Sequence, residues 1–65
     1  MRKYWTLFTR EDDAKWYPQF GDYSASCVNE ERQSYRNEYA AKDLRIISHA
    51  DNLSLEELMK LANED

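Results

Sequence analysis

Arg32, Tyr35, Arg36 and Tyr39 recur at spacings of three and four, which puts two guanidinium forks and two phenol rings on neighbouring parts of one helix. Arginine forks grip phosphate bidentately, and aromatic rings stack on a nucleobase. Such a set can therefore hold a nucleotide without a basic protein around it. Trp5, Trp16 and Tyr17 are the further stacking candidates, and Arg45 is a further phosphate ligand. The competing reading is that these arginines pair with Glu31, Glu38 or Asp22 while the rings fill the core.

Catalytic chemistry has no comparable support. His49 is the only histidine and Cys27 the only cysteine, and neither has a partner nearby in sequence. There is no glycine-rich phosphate loop, metal-ligand spacing or nucleophile elbow, so the expectation is a binding protein, not an enzyme, with no cofactor. His49 reads as a surface or partly packed residue at a strand end, and Cys27 as a small buried residue. The carboxylate pairs Asp12-Asp13 and Glu30-Glu31 read as solvated charge in a turn and on a helix face.

Sixty-five residues make a single domain, residues 1–65, that buries about 60% of the surface its unfolded chain exposes. So small a core makes a homo-oligomer the expectation. An aromatic content of 14% with one Gly and one Pro indicates a folded chain, despite a mean hydropathy of −1.00. The net charge of −4 comes from the end of the chain, where Asp51, Glu56, Glu57, Glu64 and Asp65 outweigh Lys60. An acidic chain disfavours direct DNA reading and anionic membranes. With an unpaired cysteine and no long apolar run, the reading is a cytoplasmic protein with no membrane span.

Seven of the nine aromatic residues lie between Lys3 and Ser24, a stretch that reads as a strand, a polar turn (REDDA) and a second strand ending at Gly21. A four-residue loop, Glu11 to Ala14, sets Thr9 opposite Trp16, Leu7 opposite Pro18 and Trp5 opposite Phe20. That register sorts Trp5, Leu7, Trp16 and Phe20 onto one apolar face. A three-residue loop instead pairs Phe8 with Trp16 and Tyr4 with Phe20.

Asp22 or Ser24 can cap a helix that begins near Ala25 and carries Ala25, Val28, Arg32, Tyr35 and Tyr39 on one stripe. Asp43 to Ala50 reads as the third strand and, being the most aliphatic, as a central or well-covered one. Ser54 with Glu57 forms a capping box and Leu53 with Leu58 a hydrophobic staple, so a last helix runs from Leu55 to about Asn63. The fold class is α+β: a small three-stranded, mainly antiparallel sheet in strand-strand-helix-strand-helix order with the helices packed on one side. The sheet's second face is then exposed, covered by the last helix, or buried in an oligomer.

The segments YWTLFTRED, WYPQFGDY, ERQSYRNEY and AAKDLRII, within residues 4–47, resemble small accessory proteins of bacteriophages. The resemblance implies a compact host-takeover or counter-defence factor that binds and blocks its target. Two readings follow: sequestration of a small anionic ligand such as a nucleotide signal, or docking on a host protein through the aromatic face or the last helix.

Overall fold

The computed structural model describes residues 2–64. Its elements are β1 (Lys3–Arg10), β2 (Trp16–Asp22), α1 (Ala25–Tyr35), β3 (Leu44–Ala50) and α2 (Leu55–Asn63), with a short 3-10 turn at Ala41–Asp43 before β3. The strands form one antiparallel sheet in the order β2-β1-β3. The α+β class and the element order are therefore as the sequence indicates.

The centre of the sheet is β1, whose Thr6, Leu7, Phe8 and Thr9 are all buried. Alternating side chains send Leu7 and Phe8 to opposite faces, and each needs its own cover. Leu7 packs with Val28 of α1 and Leu44, joined by Trp5, Phe20, Tyr35, Tyr39 and Ile46. Phe8 packs with Trp16 and with Ala62 of α2, joined by Ile47 and Leu58. The helices thus lie on opposite faces, not together on one side, and the last helix covers the second face. β3 is an edge strand, not a central one, because Arg45 and His49 interrupt its aliphatic run while β1 is apolar on both sides.

The hairpin register also differs from both registers read from the sequence. Glu11 N–H donates to Lys15 C=O at 3.0 Å and Ala14 N–H to Glu11 C=O at 2.9 Å, closing a tight loop over Asp12, Asp13 and Ala14. Ala14 takes the left-handed conformation this loop demands, with φ of 64°. Arg10 then faces Trp16, Thr9 faces Tyr17 and Phe8 faces Pro18, and the ladder slips so that Leu7 faces Phe20. Gln19 is the bulge residue. One residue of slip exchanges faces, so Trp16 joins Phe8 under α2 while Phe20 stays with Trp5 and Leu7 under α1.

Both helices start on side-chain caps. Ser24 Oγ accepts the Cys27 N–H at 3.4 Å, and Ser54 and Glu57 complete a reciprocal capping box. Cys27 is exposed, against the expectation of burial. It precedes Val28, the one fully covered residue of α1, by one position, about 100° around the helix.

Candidate functional site

α2 is held against the edge strand β2 by polar contacts around an apolar seam. Leu58 and Ala62 lie on Phe8 and Trp16. Asn63 Oδ1 accepts the Trp16 N–H at 2.7 Å, and Asn63 Nδ2 donates to the Trp16 C=O at 3.0 Å. Arg45 donates from Nη1 to the Ala62 C=O at 3.0 Å, and its guanidinium carbon sits 4.3 Å from the centroid of the Trp16 ring. Arg10 approaches the same ring at 5.3 Å while bonding Asp43 at 2.9 Å. Trp16 is consequently only 7% exposed.

Beside this seam lies an open groove of about 310 Å³. It is lined by Tyr4 and Thr6 of β1, by residues 18–21 of β2, and by Leu55 and Leu58 of α2. Leu55 is 63% exposed. The Tyr4 ring lies directly over Gly21, where even a methyl group would overlap it. Gly21 does not have a positive φ, so the glycine is there for space, not for backbone freedom. Tyr4 also meets Tyr23 edge-on at 4.8 Å between centroids, and Arg2 lies 4.3 Å over Tyr23.

Thr6, in the groove lining, has its Oγ1 2.7 Å from His49 Nε2, and His49 Nδ1 is 2.8 Å from the Ala50 C=O. A carbonyl only accepts, so Nδ1 carries a proton and both ring nitrogens are engaged. A second open depression of about 310 Å³ lies at the end of the sheet, lined by Arg2, Lys3, Ser48, His49 and Ala50.

The residues singled out from the sequence do not converge on either depression. Trp5 and Tyr35 pack against the Leu7 cluster on the α1 face. Arg32 is half-buried in the last turn of α1 and Arg36 is its exposed C-cap. Tyr35 and Tyr39 stack obliquely at 6.1 Å. Tyr17, on the edge strand, donates its hydroxyl to Asp13 at 2.6 Å. Trp16 and Arg45 are brought together, but to each other, in fastening α2. Among the described residues, the ion pairs are Arg10–Asp43 and Lys60–Glu64, so Arg32 and Arg36 do not take the acidic partners considered for them. Among the described residues, no group of three His, Cys, Asp or Glu side chains is placed to share a metal ion, and no helix is long and apolar enough to cross a membrane.

Tyr4, Gly21 and Leu55 line the groove but are not among the site residues singled out from the sequence, which offered the aromatic face and the last helix only as whole docking surfaces. The signal available was the chain's one glycine, set after an aromatic residue within a strand, which marks a close approach as often as a strand end. Searches against protein-family models, curated proteins and solved structures find no match to this chain.

Proposed function

We propose that the chain is a non-enzymatic protein-binding domain that takes an apolar segment of a partner into the groove between β2 and α2. The observation that carries this reading is the groove itself, with Tyr4, Gly21 and Leu58 in its lining and Leu55, also in the lining, 63% exposed. An isolated leucine on a surface needs no explanation. A leucine beside an open apolar groove on so small a domain supplies both a pocket and an anchor for docking. Read with the resemblance to phage accessory proteins, the partner is a host protein that binding blocks.

Nucleotide sequestration draws less support. None of Trp5, Trp16, Tyr17, Arg32, Tyr35, Arg36 or Arg45 lines either depression. The two tryptophans lie on opposite faces of the sheet. The discriminating experiment places a photo-crosslinking phenylalanine analogue at Tyr4, in the lining of the groove, and compares proteins with and without Leu55→Asp in host lysate. Docking predicts a stoichiometric crosslinked protein that Leu55→Asp abolishes while the fold is kept. Crosslinks indifferent to Leu55→Asp, or a nucleotide co-purifying with both forms, would sink the proposal.

A further inference from the structure

The two edges of the sheet are finished differently. On β2, the outward N–H and C=O of Trp16 are both taken by the Asn63 amide. Two residues later Pro18 has no N–H to offer, and the bulge at Gln19 breaks the strand's regularity. These are the devices by which sheet edges avoid pairing with other chains. β3 is regular through all seven of its residues and contains no proline.

The phase of the β1–β3 ladder shows which backbone groups β3 presents outward. Asp51 N–H donates to Arg2 C=O at 3.1 Å, so Asp51 and Arg2 form a hydrogen-bonded pair just beyond the Lys3–Ala50 match. Hydrogen-bonded and non-bonded pairs alternate in an antiparallel ladder. His49, Ile47 and Arg45 therefore bond to β1, while Leu44, Ile46, Ser48 and Ala50 turn their backbone groups outward. Among the described residues, two of those outward groups are already engaged inside the chain. The Leu44 N–H donates to Ala41 C=O, and the Ala50 C=O faces His49 Nδ1.

We propose that β3 pairs antiparallel with β3 of a second copy of this chain about a two-fold axis at Ile47, extending each three-stranded sheet into a continuous one. In that register Ile46 of each copy faces Ser48 of the other, and all four of their groups are exchanged in hydrogen bonds. Leu44 faces Ala50. One bond of that pair would run from Leu44 N–H to Ala50 C=O, the two groups each chain already satisfies. The other runs from Ala50 N–H to Leu44 C=O, and both of those are open. A slip of two residues one way sets the engaged Leu44 N–H against the open Ser48 C=O and wastes that acceptor; a slip the other way makes the open Ile46 N–H share the Ala50 C=O with His49 Nδ1, a weaker fit for both. A second copy therefore fits this edge better than an arbitrary strand, because the pattern of engaged groups is complementary to itself. Ser48, in the middle of this outward stretch, is exposed.

Sedimentation velocity over a dilution series is expected to show a species of twice the 7.8 kDa chain mass that dissociates on dilution. Residue-resolved amide exchange on the unmodified protein identifies the surface. The Ile46 and Ser48 amides should slow by roughly tenfold or more between the dilute and the concentrated sample, whereas Ile47 and His49 change little. Ser48→Pro removes one outward donor without touching the β1–β3 ladder, and is expected to yield a folded monomer. The proposal is overturned by a chain that stays monomeric throughout, by a dimer whose Ile46 and Ser48 amides are indifferent to concentration, or by a folded Ser48→Pro variant that dimerises as before. Where Ser48→Pro does not fold, the exchange pattern of the wild type decides.

Discussion

Asn63, in the last turn of α2, accepts the N–H and donates to the C=O of Trp16, at 2.7 and 3.0 Å, and so stands in for a fourth strand at the β2 edge. Its amide also donates to the Met59 C=O at 2.7 Å, which ties it to its own helix. The contact joins the C-terminal end of α2 to the residue whose ring fills the second core, so helix docking and edge protection depend on one side chain. Asn63→Ala is expected to destabilise the fold by about 1 kcal/mol, the net worth of hydrogen bonds whose groups regain water. Asn63→Asp should cost more, about 2 kcal/mol, because a carboxylate cannot donate to the Trp16 carbonyl and lies unfavourably at a helix C-terminus. Urea unfolding followed by tryptophan fluorescence measures both, and equal stability of the two variants would refute the pairing role.

Ala14 sits at φ of 64° in the turn between β1 and β2, a conformation that costs an L-residue about 1 kcal/mol or more and glycine almost nothing. Ala14→Gly is therefore expected to raise stability by about 0.5 kcal/mol, the relief being partly offset by the greater freedom of glycine in the unfolded chain. Ala14→Val should lower it by more than that, since a β-branched residue is poorly accommodated there. Thermal melts of the three proteins under one set of conditions would show the order Gly, Ala, Val.

Legibility followed the range of the interaction. The Ser54–Glu57 box and the Ser24 cap are written in four consecutive residues each, and both helices start where those signals place them. The hairpin register was not legible, because the two features that set it lack their usual markers. The left-handed turn position holds alanine instead of glycine, and the bulge falls on a glutamine. That bulge has a tertiary use: Gln19 Nε2 donates to the hydroxyl of buried Thr9 at 3.0 Å, and Thr9 in turn donates to Glu11. The selected site residues failed to converge for a related reason. Aromatic and arginine identity marks the side chains able to stack and pair, and in Trp16 and Arg45 that capacity is turned inward to hold α2.

Gly21 tests the groove lining. A Cβ there would overlap the Tyr4 ring, which must move for the strand to keep its place. Tyr4 is wedged against Tyr23 and beside His49. Gly21→Ala is expected to destabilise by about 1–3 kcal/mol, the range for overpacking a fitted site, and to close part of the groove. The double change Gly21→Ala with Tyr4→Ala should recover some of that loss by removing the ring that clashes. A double variant no more stable than the sum of its parts would show that the glycine serves some purpose other than space.

Stability should fall away on both sides of neutrality through hydrogen bonds between named groups. Tyr17 donates to Asp13, Tyr23 to Asp51 and Tyr39 to Glu11, and each carboxylate holds its phenol above the ordinary value of 10.0. A raised folded pKa means that the contribution is whole below pH 10 and is lost as pH rises through the higher folded values. On the acid side, the backbone N–H and then the hydroxyl of Ser54 hold Glu57 below 4.5, and the Tyr17 hydroxyl and then the Lys15 N–H hold Asp13 below 3.8. A lowered folded pKa gives the opposite sign: these contributions are present above those ordinary values and disappear as pH falls through the depressed ones. Urea midpoints are therefore expected to be flat from about pH 5 to pH 10 and to decline beyond either limit. Glu57→Gln should shallow the acid limb and leave the alkaline one alone, whereas Tyr23→Phe should do the reverse. A Glu57→Gln variant whose midpoint falls with acid as steeply as wild type would show that the capping box contributes no pH dependence.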